Sequence, residues 1–334
     1  MKVIKDVKVA LSYKGLNFVR EPIMSDLNGV NGKLRKIAQS QPIHISNQIN
    51  HLLSNLGKGI RPIVTLLASK FHNNDGSKPE IVASAVELLH IATLVHDDVV
   101  DEADTRRGVA TINKLWDQRT AVVTGDYLFA KSATLVCETN NIRVIKRFSE
   151  TIMDLSSGQL NELYMAYNVN QTKDGYLNCI SLKTGSLFET ACETGAIASG
   201  ADGKIIESLK YFGRNLGIAF QIIDDILDVD GSQIETGKPI GQDLAHGIMT
   251  LPTLLAINKS NGENPIIDLF NNSYDQKILA ECVRFVQDKD VLEQCYQIAQ
   301  DYCEMALDSL RKLDSNRYQD SLIELVNCVI NRRM

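Results

Sequence analysis

Apolar positions recur at steps of three and four along most of the chain, the spacing that gives a helix one buried stripe. Strand-like alternation is scarce, and only 7 prolines interrupt the pattern. It predicts helices over 32–55, 60–73, 79–104, 119–139, 143–167, 174–199, 203–229 and 243–259, with several more between 276 and 333. Pro62 and Pro79 suit first-turn positions, where a missing N–H costs nothing. Ser260 to Asn272, with its Asn-Gly and Asn-Pro pairs, reads as a surface loop. With no repeat, low-complexity tract or linker, the expectation is one all-α domain over 1–334, its N-terminal ~30 residues peripheral. The stretch 230–243 departs from the pattern, with three glycines and a proline among polar residues, and reads as a flexible flap.

Two acidic boxes interrupt the apolar helices: Asp97-Asp98-Val99-Val100-Asp101 and Asp224-Asp225-Ile226-Leu227-Asp228. The outer carboxylates of each box lie one helical turn apart on one face. Like charges at that spacing destabilise a helix unless something positive sits between them. Hard divalent cations bind oxygen ligands, and Mg2+ commonly bridges carboxylates to phosphates. One such box alone also reads as a solvated helix end. Two of the same form, each beside apolar sequence, point to a pocket for a metal-bound diphosphate. In the predicted helix 79–104, Val86, His90, Thr93, Asp97 and Asp101 form a single stripe.

The overall charge is −6, from 35 basic and 41 acidic residues, which argues against a nucleic-acid surface. A polyanion would have to be held by a few placed cations. Lys58 and Arg61 fall at the opening of a predicted helix, Arg106 and Arg107 directly follow the first box, and Lys183-Thr184 and Lys238 are further candidates. Gln221, three residues before Asp224, is placed to orient a carboxylate or phosphate, or is simply a polar helix edge. His96 is expected to pack or hydrogen-bond near the box, and His90 to contact substrate. The seven cysteines form no close pairs and read as reduced core residues of a cytoplasmic protein. No transmembrane span and no signal peptide are expected.

These motifs, in their order, resemble the trans-isoprenyl (polyprenyl) diphosphate synthases, with wording most like the octaprenyl and other long-chain members. The resemblance runs from about Lys58 to Pro252 and rests on Gly57-Lys58-Gly59-Ile60-Arg61-Pro62, the His90 to Gly108 segment, Lys183-Thr184-Gly185, Phe220 to Asp228, and Gly237 to Asp243 with Thr250-Leu251-Pro252. It implies a helical barrel around a deep cavity, usually homodimeric, that condenses isopentenyl diphosphate with an allylic diphosphate. By the same resemblance Asp97 and Asp101, supported by Asp98, hold two Mg2+, and Asp224, aided by Asp225 and Asp228, holds a third. Arg106, Lys183 and Lys238 are expected on the allylic diphosphate, and Lys58, Arg61, His90 and Arg107 on that of isopentenyl diphosphate. Thr184 and Gln221 fall where substrate or the metal shell is touched.

Two departures stand out. Gly158-Gln159-Leu160-Asn161-Glu162 reverses the Gly-Glu-x-x-Gln order of many long-chain members, and Ile248 stands where many carry lysine. Ala92 and Thr93, about 6 Å below Asp97, are small, which argues for a long product, about C30–C45, as a quinone side-chain precursor. The tunnel floor would lie deeper, at Leu89, Leu155 or Leu163, and release of such a product suggests peripheral membrane contact. A shorter-chain synthase is the alternative. An all-α metal-dependent phosphohydrolase also accommodates His90 and His96-Asp97, but leaves the second box and Lys58/Arg61 unexplained.

Overall fold

The computed structural model describes residues 15–72, 77–230, 240–260, 264–271 and 276–331. The fold is all-α. Helices α1 (Met24–Gln39), α2 (Ile43–Ser54), α3 (Ile60–Ser69) and α4 (Ser77–Val100) come first. A two-strand hairpin follows, β1 (Thr105–Arg106) with β2 (Val109–Ala110). Then come α5 (Ile112–Leu115), α6 (Gln118–Cys137), α7 (Ile142–Met165) and α8 (Lys173–Ile180). A π-helical turn over Ser181–Gly185 joins α8 to α9 (Ser186–Ser199), and α10 spans Gly203–Asp230. The rest comprises α11 (Gln242–Ala245), α12 (Leu251–Lys259), α13 (Pro265–Asn271), α14 (Gln276–Val286), α15 (Lys289–Leu310) and α16 (Arg317–Ile330).

Helix α9 is buried along almost its whole length and packs against α3, α4, α7 and α10. Its side chains are mostly small (Ala191, Cys192, Thr194, Gly195, Ala196, Ala198), which lets neighbouring backbones come close. At the α9/α10 crossing a Cβ on Gly213 would lie 2.4 Å from the Phe188 carbonyl oxygen, so only glycine fits there. The two box-bearing helices, α4 and α10, thus pack on the same central rod. One extended apolar cluster joins these helices to α15 and α16. Cys179, Cys192, Cys282, Cys295 and Cys303 are buried and unpaired with one another.

Several expectations are corrected. The run expected at 32–55 is two helices, because Pro42 sits extended (φ −52, ψ 147) and disfavours helix in the residue before it. The helix expected at 243–259 is broken at Gly247 (φ 75). Part of the loop expected at 260–272 is helical, with Pro265 opening α13 and Ile266 and Leu269 buried. Lys78–Val100 is, against expectation, long and apolar enough to span a bilayer by composition, but 67% of that window is buried inside the protein, so core packing accounts for its apolarity. The expected flap falls largely on 231–239, outside the described residues.

Candidate active site

The first box closes α4. Asp97 is partly buried, Asp101 is exposed, and Asp98 between them is 5% exposed and turned inward. Arg106 Nε donates to Asp98 Oδ1 at 2.6 Å, anchoring the hairpin to the box. Arg107 and Gly108 occupy the hairpin tip with φ of 54° and 77°, the pair of left-handed residues a tight two-residue turn requires. Arg107, a non-glycine in that region, is held there by its surroundings: its Nη1 donates to the Asn55 carbonyl at 3.2 Å.

The second box closes α10, and its middle residue is again the inward one. Asp225 is 4% exposed, accepting from Gln221 Nε2 at 2.8 Å and from the Tyr176 hydroxyl at 2.6 Å. Gln221 Oε1 in turn accepts from the Thr184 hydroxyl at 2.6 Å. Gln221 is therefore the orienting residue rather than a bare helix edge. Asp228 accepts from the backbone N–H groups of Gln242 and Asp243 at 3.3 and 3.2 Å, which fastens the chain after residues 231–239 to the end of α10.

Lys183 lies on the π turn, and its ammonium pairs with Glu162 of α7. Burial alone would lower this ammonium's pKa, but Glu162, Asp97 and Asp101 outweigh it and hold it above its usual value. Burial likewise raises Asp97 to about 6, with Lys183 opposing and Asp101 adding to the rise. A cavity of about 130 Å³ is lined by Asp101 of the first box, Asp225 of the second with Gln221 one turn before it, and Lys183, Thr184 and Glu162 between them. The two boxes, far apart in sequence, face one space.

A second cavity, of about 370 Å³, is lined by Lys58, Arg61, His90 and Arg107, with apolar walls from Ile91, Leu94, Phe220, Leu325 and Val329. Arg61 lies over the Phe188 ring at 4.7 Å and within 3.1 Å of His90 Nε2. Burial lowers the pKa of Arg61 to about 10, still a cation at neutral pH, with Glu87 and Asp224 favouring its charge. Burial and the nearby arginines keep His90 neutral, so its ring can accept from Arg61. Arg61 Nε is buried without a hydrogen-bond partner among the described residues, a donor that an anionic oxygen would satisfy. A polar, cationic floor under apolar walls suits a diphosphate with a short hydrocarbon tail.

Other expected positions fare differently. Thr93 is partly exposed on the stripe between His90 and Asp97, its hydroxyl bonded to the His90 carbonyl at 2.7 Å. Ala92 is 0% exposed and packed in the main apolar cluster, one position round the helix from Thr93. Leu163 is 50% exposed on the outside of α7 and forms no tunnel floor; Leu89 and Leu155 are buried. His96 turns toward α6, with Nε2 3.0 Å from the Val122 carbonyl, as a packing residue. Lys238 lies outside the described residues. Sequence reasoning gave no role to Glu162, Glu87 or Tyr176. Glu162 was visible only as a departure from a motif, while Glu87 precedes His90 by one turn and was hidden in an apolar run.

The divalent cation implied by the box pattern fits these residues. The donors are hard carboxylate oxygens, and Asp97, its pKa raised chiefly by burial, is a carboxylate whose charge a bound cation would compensate. Among the described residues no three His, Cys, Asp or Glu side chains stand close enough to hold an ion unaided. An ion bound between the boxes would need further oxygen ligands, such as those of a phosphate.

Comparison with known proteins agrees with this geometry. Residues 43–287 match the family model described as polyprenyl synthetase. The chain is 35% identical over 330 residues to heptaprenyl diphosphate synthase component 2 of Bacillus subtilis, covering 99% of this chain and 92% of that one. Among solved structures it is similar to heptaprenyl diphosphate synthase from Staphylococcus aureus (TM-score 0.89, 34% identity, 93% and 98% of the two chains). It is also similar to a decaprenyl diphosphate synthase from Rhodobacter capsulatus (TM-score 0.90, 32% identity, 96% and 99% of the two chains). The chain belongs to the polyprenyl synthetase family, the trans-polyprenyl diphosphate synthases, and is a prenyltransferase.

Proposed function

We propose that this prenyltransferase adds isopentenyl diphosphate head-to-tail, in successive rounds, onto an allylic diphosphate to give a long all-trans polyprenyl diphosphate. The observation that carries this is the shared cavity between the two acidic boxes, with Lys183 on its wall and the Lys58/Arg61/Arg107 cavity nearby. The product is about six to nine isoprene units, supported by the small Thr93 on the stripe below Asp97 and by the two relatives named for seven-unit products. A quinone side-chain precursor is its proposed use. The alternative is a shorter farnesyl or geranylgeranyl product, which the Gln159/Glu162 order favours.

The chain's own residues divide the work. Lys183 and Thr184, with Arg106 alongside, position the allylic diphosphate between the boxes. Three Mg2+ held by Asp97, Asp101 and Asp224 would act as Lewis acids, stabilising charge on the departing diphosphate. Lys58, Arg61 and Arg107 hold the second diphosphate, with neutral His90 steadying Arg61. Leu94 and Phe220 keep the isopentenyl double bond against an apolar wall, away from water that would quench an allylic cation. The proton lost after attack passes to the released pyrophosphate.

The protein is proposed to work in the cytoplasm as a homodimer, with peripheral membrane contact at product release. The name of the Bacillus relative, component 2, supports a second, dissimilar subunit as the alternative assembly. Purified protein incubated with labelled isopentenyl diphosphate, farnesyl diphosphate and Mg2+ tests the reading. Products of C30 or longer are expected. Orthophosphate release without chain extension would overturn it, and products stopping at C20 would establish the alternative.

A further inference from the structure

Asp225 has both carboxylate oxygens engaged by protein donors, Tyr176 on one side and Gln221 on the other. Both Tyr176 and Asp225 are almost wholly buried, at 3% and 4% exposure. A buried carboxylate held from both sides by short bonds is a fixed strut. The chain of bonds continues from Gln221 to Thr184, so it ties α8, the π turn that carries Lys183, and the helix that carries the second box. Tyr176 is the one member of this chain that lines the cavity yet lies in none of the motifs the function uses.

We infer that Tyr176 is a positioning residue: through Asp225 it sets the orientation of the second acidic box, and so of Asp224, relative to Lys183. Removing its hydroxyl would leave one Asp225 oxygen buried and without its short bond. The carboxylate would then be free to turn toward the mouth or to pull Gln221 away from Thr184. The ion that Asp224 helps to hold would be bound less tightly, as happens when partners behind metal ligands are lost. The assignment rests on the proposed metal-bound diphosphate between the boxes.

The test uses the full-length protein and Mn2+ as the spectroscopic probe, titrated in the presence of an unreactive allylic thiodiphosphate and followed by electron paramagnetic resonance. Tyr176→Phe is expected to weaken Mn2+ binding about 10-fold. It should leave the KM for isopentenyl diphosphate, set in the other cavity, unchanged. Because Tyr176 acts through Asp225, the Tyr176→Phe/Asp225→Asn double variant is expected to bind Mn2+ no worse than Asp225→Asn alone. A fluorotyrosine at position 176, which keeps hydroxyl and packing, should bind like wild type. Wild-type Mn2+ affinity in Tyr176→Phe, multiplying effects in the double variant, or a loss that tracks a collapse of the melting temperature would each overturn the assignment. Failure of the wild-type protein to bind Mn2+ with the thiodiphosphate would instead overturn the metal reading of the boxes, and this assignment with it.

Discussion

The guanidinium of Arg107 lies across Gly57: a Cβ built on that glycine would fall 2.5 Å from Arg107 Nη2. The loop bearing Lys58 and the hairpin bearing Arg107 therefore meet at a point where a side chain on Gly57 would displace the arginine. Gly57→Ala should push the arginine aside and leave the fold intact, because the displaced group is the end of a flexible side chain. The KM for isopentenyl diphosphate is expected to rise about 10-fold, in line with the loss of one charge-assisted contact, while that for the allylic substrate stays within about 3-fold. Steady-state kinetics with each substrate varied in turn checks this.

Asp97 gives a pH dependence of stability with a defined sign. Its carboxyl is raised from 3.8 to about 6 in the folded protein, chiefly by burial, so the folded state holds that proton more tightly than the unfolded chain. The resulting stabilisation is complete below 3.8 and is lost as pH rises through 6. A difference of this size corresponds to at most about 3 kcal/mol. Asp97→Asn cannot ionise, so in metal-free buffer it is expected to melt higher than wild type at pH 7.5 and to lose most of that advantage at pH 4.5. Thermal melts in chelator at the two pH values measure the difference.

Chain length should respond at Thr93 and not at its neighbour. Thr93→Phe places an aromatic on the stripe below Asp97 and is expected to shorten the main product by several isoprene units. Ala92→Phe instead overpacks a site with no free volume, costing about 1–3 kcal/mol of stability. Sizing of radiolabelled products alongside melting temperatures separates the two outcomes; a Thr93→Phe enzyme with unchanged product length would refute the placement of the wall.

Removing the cation should abolish transfer without unfolding the chain. The core contacts along α9, α10, α15 and α16 are apolar and need no ion. Chelator is expected to stop product formation completely while circular dichroism stays helical, and added Mg2+ should restore activity.

Much of this was legible in the sequence because two period-3.6 patterns and two acidic boxes report directly on helix faces. The helical class and the box positions follow from residue type and spacing, whereas the grouping of Lys58, Arg61, His90 and Arg107 came with the family resemblance. What was not legible depends on side-chain direction. Spacing puts Asp97, Asp98 and Asp101 on neighbouring faces but does not say that Asp98 turns to Arg106, or Asp225 to Tyr176. Ala92 and Thr93 differ by about 100° around the helix, which is enough to bury one and leave the other partly exposed. Tyr176 and Glu162 sit on helices whose relation to the boxes is set only by tertiary packing.

The wide turn at Ser181–Gly185 has its own consequence. Residues 173–199 form a nearly unbroken rod carrying one π turn, a register shift that ordinary α winding lacks. That shift sets the azimuth at which Lys183 leaves the rod. Deleting a single residue there would let the segment heal into a regular, more comfortable helix, and would swing the ammonium by about 100° relative to everything that follows. The tightest-wound version of this protein would be the one whose Lys183 no longer faces the cavity between the acidic boxes.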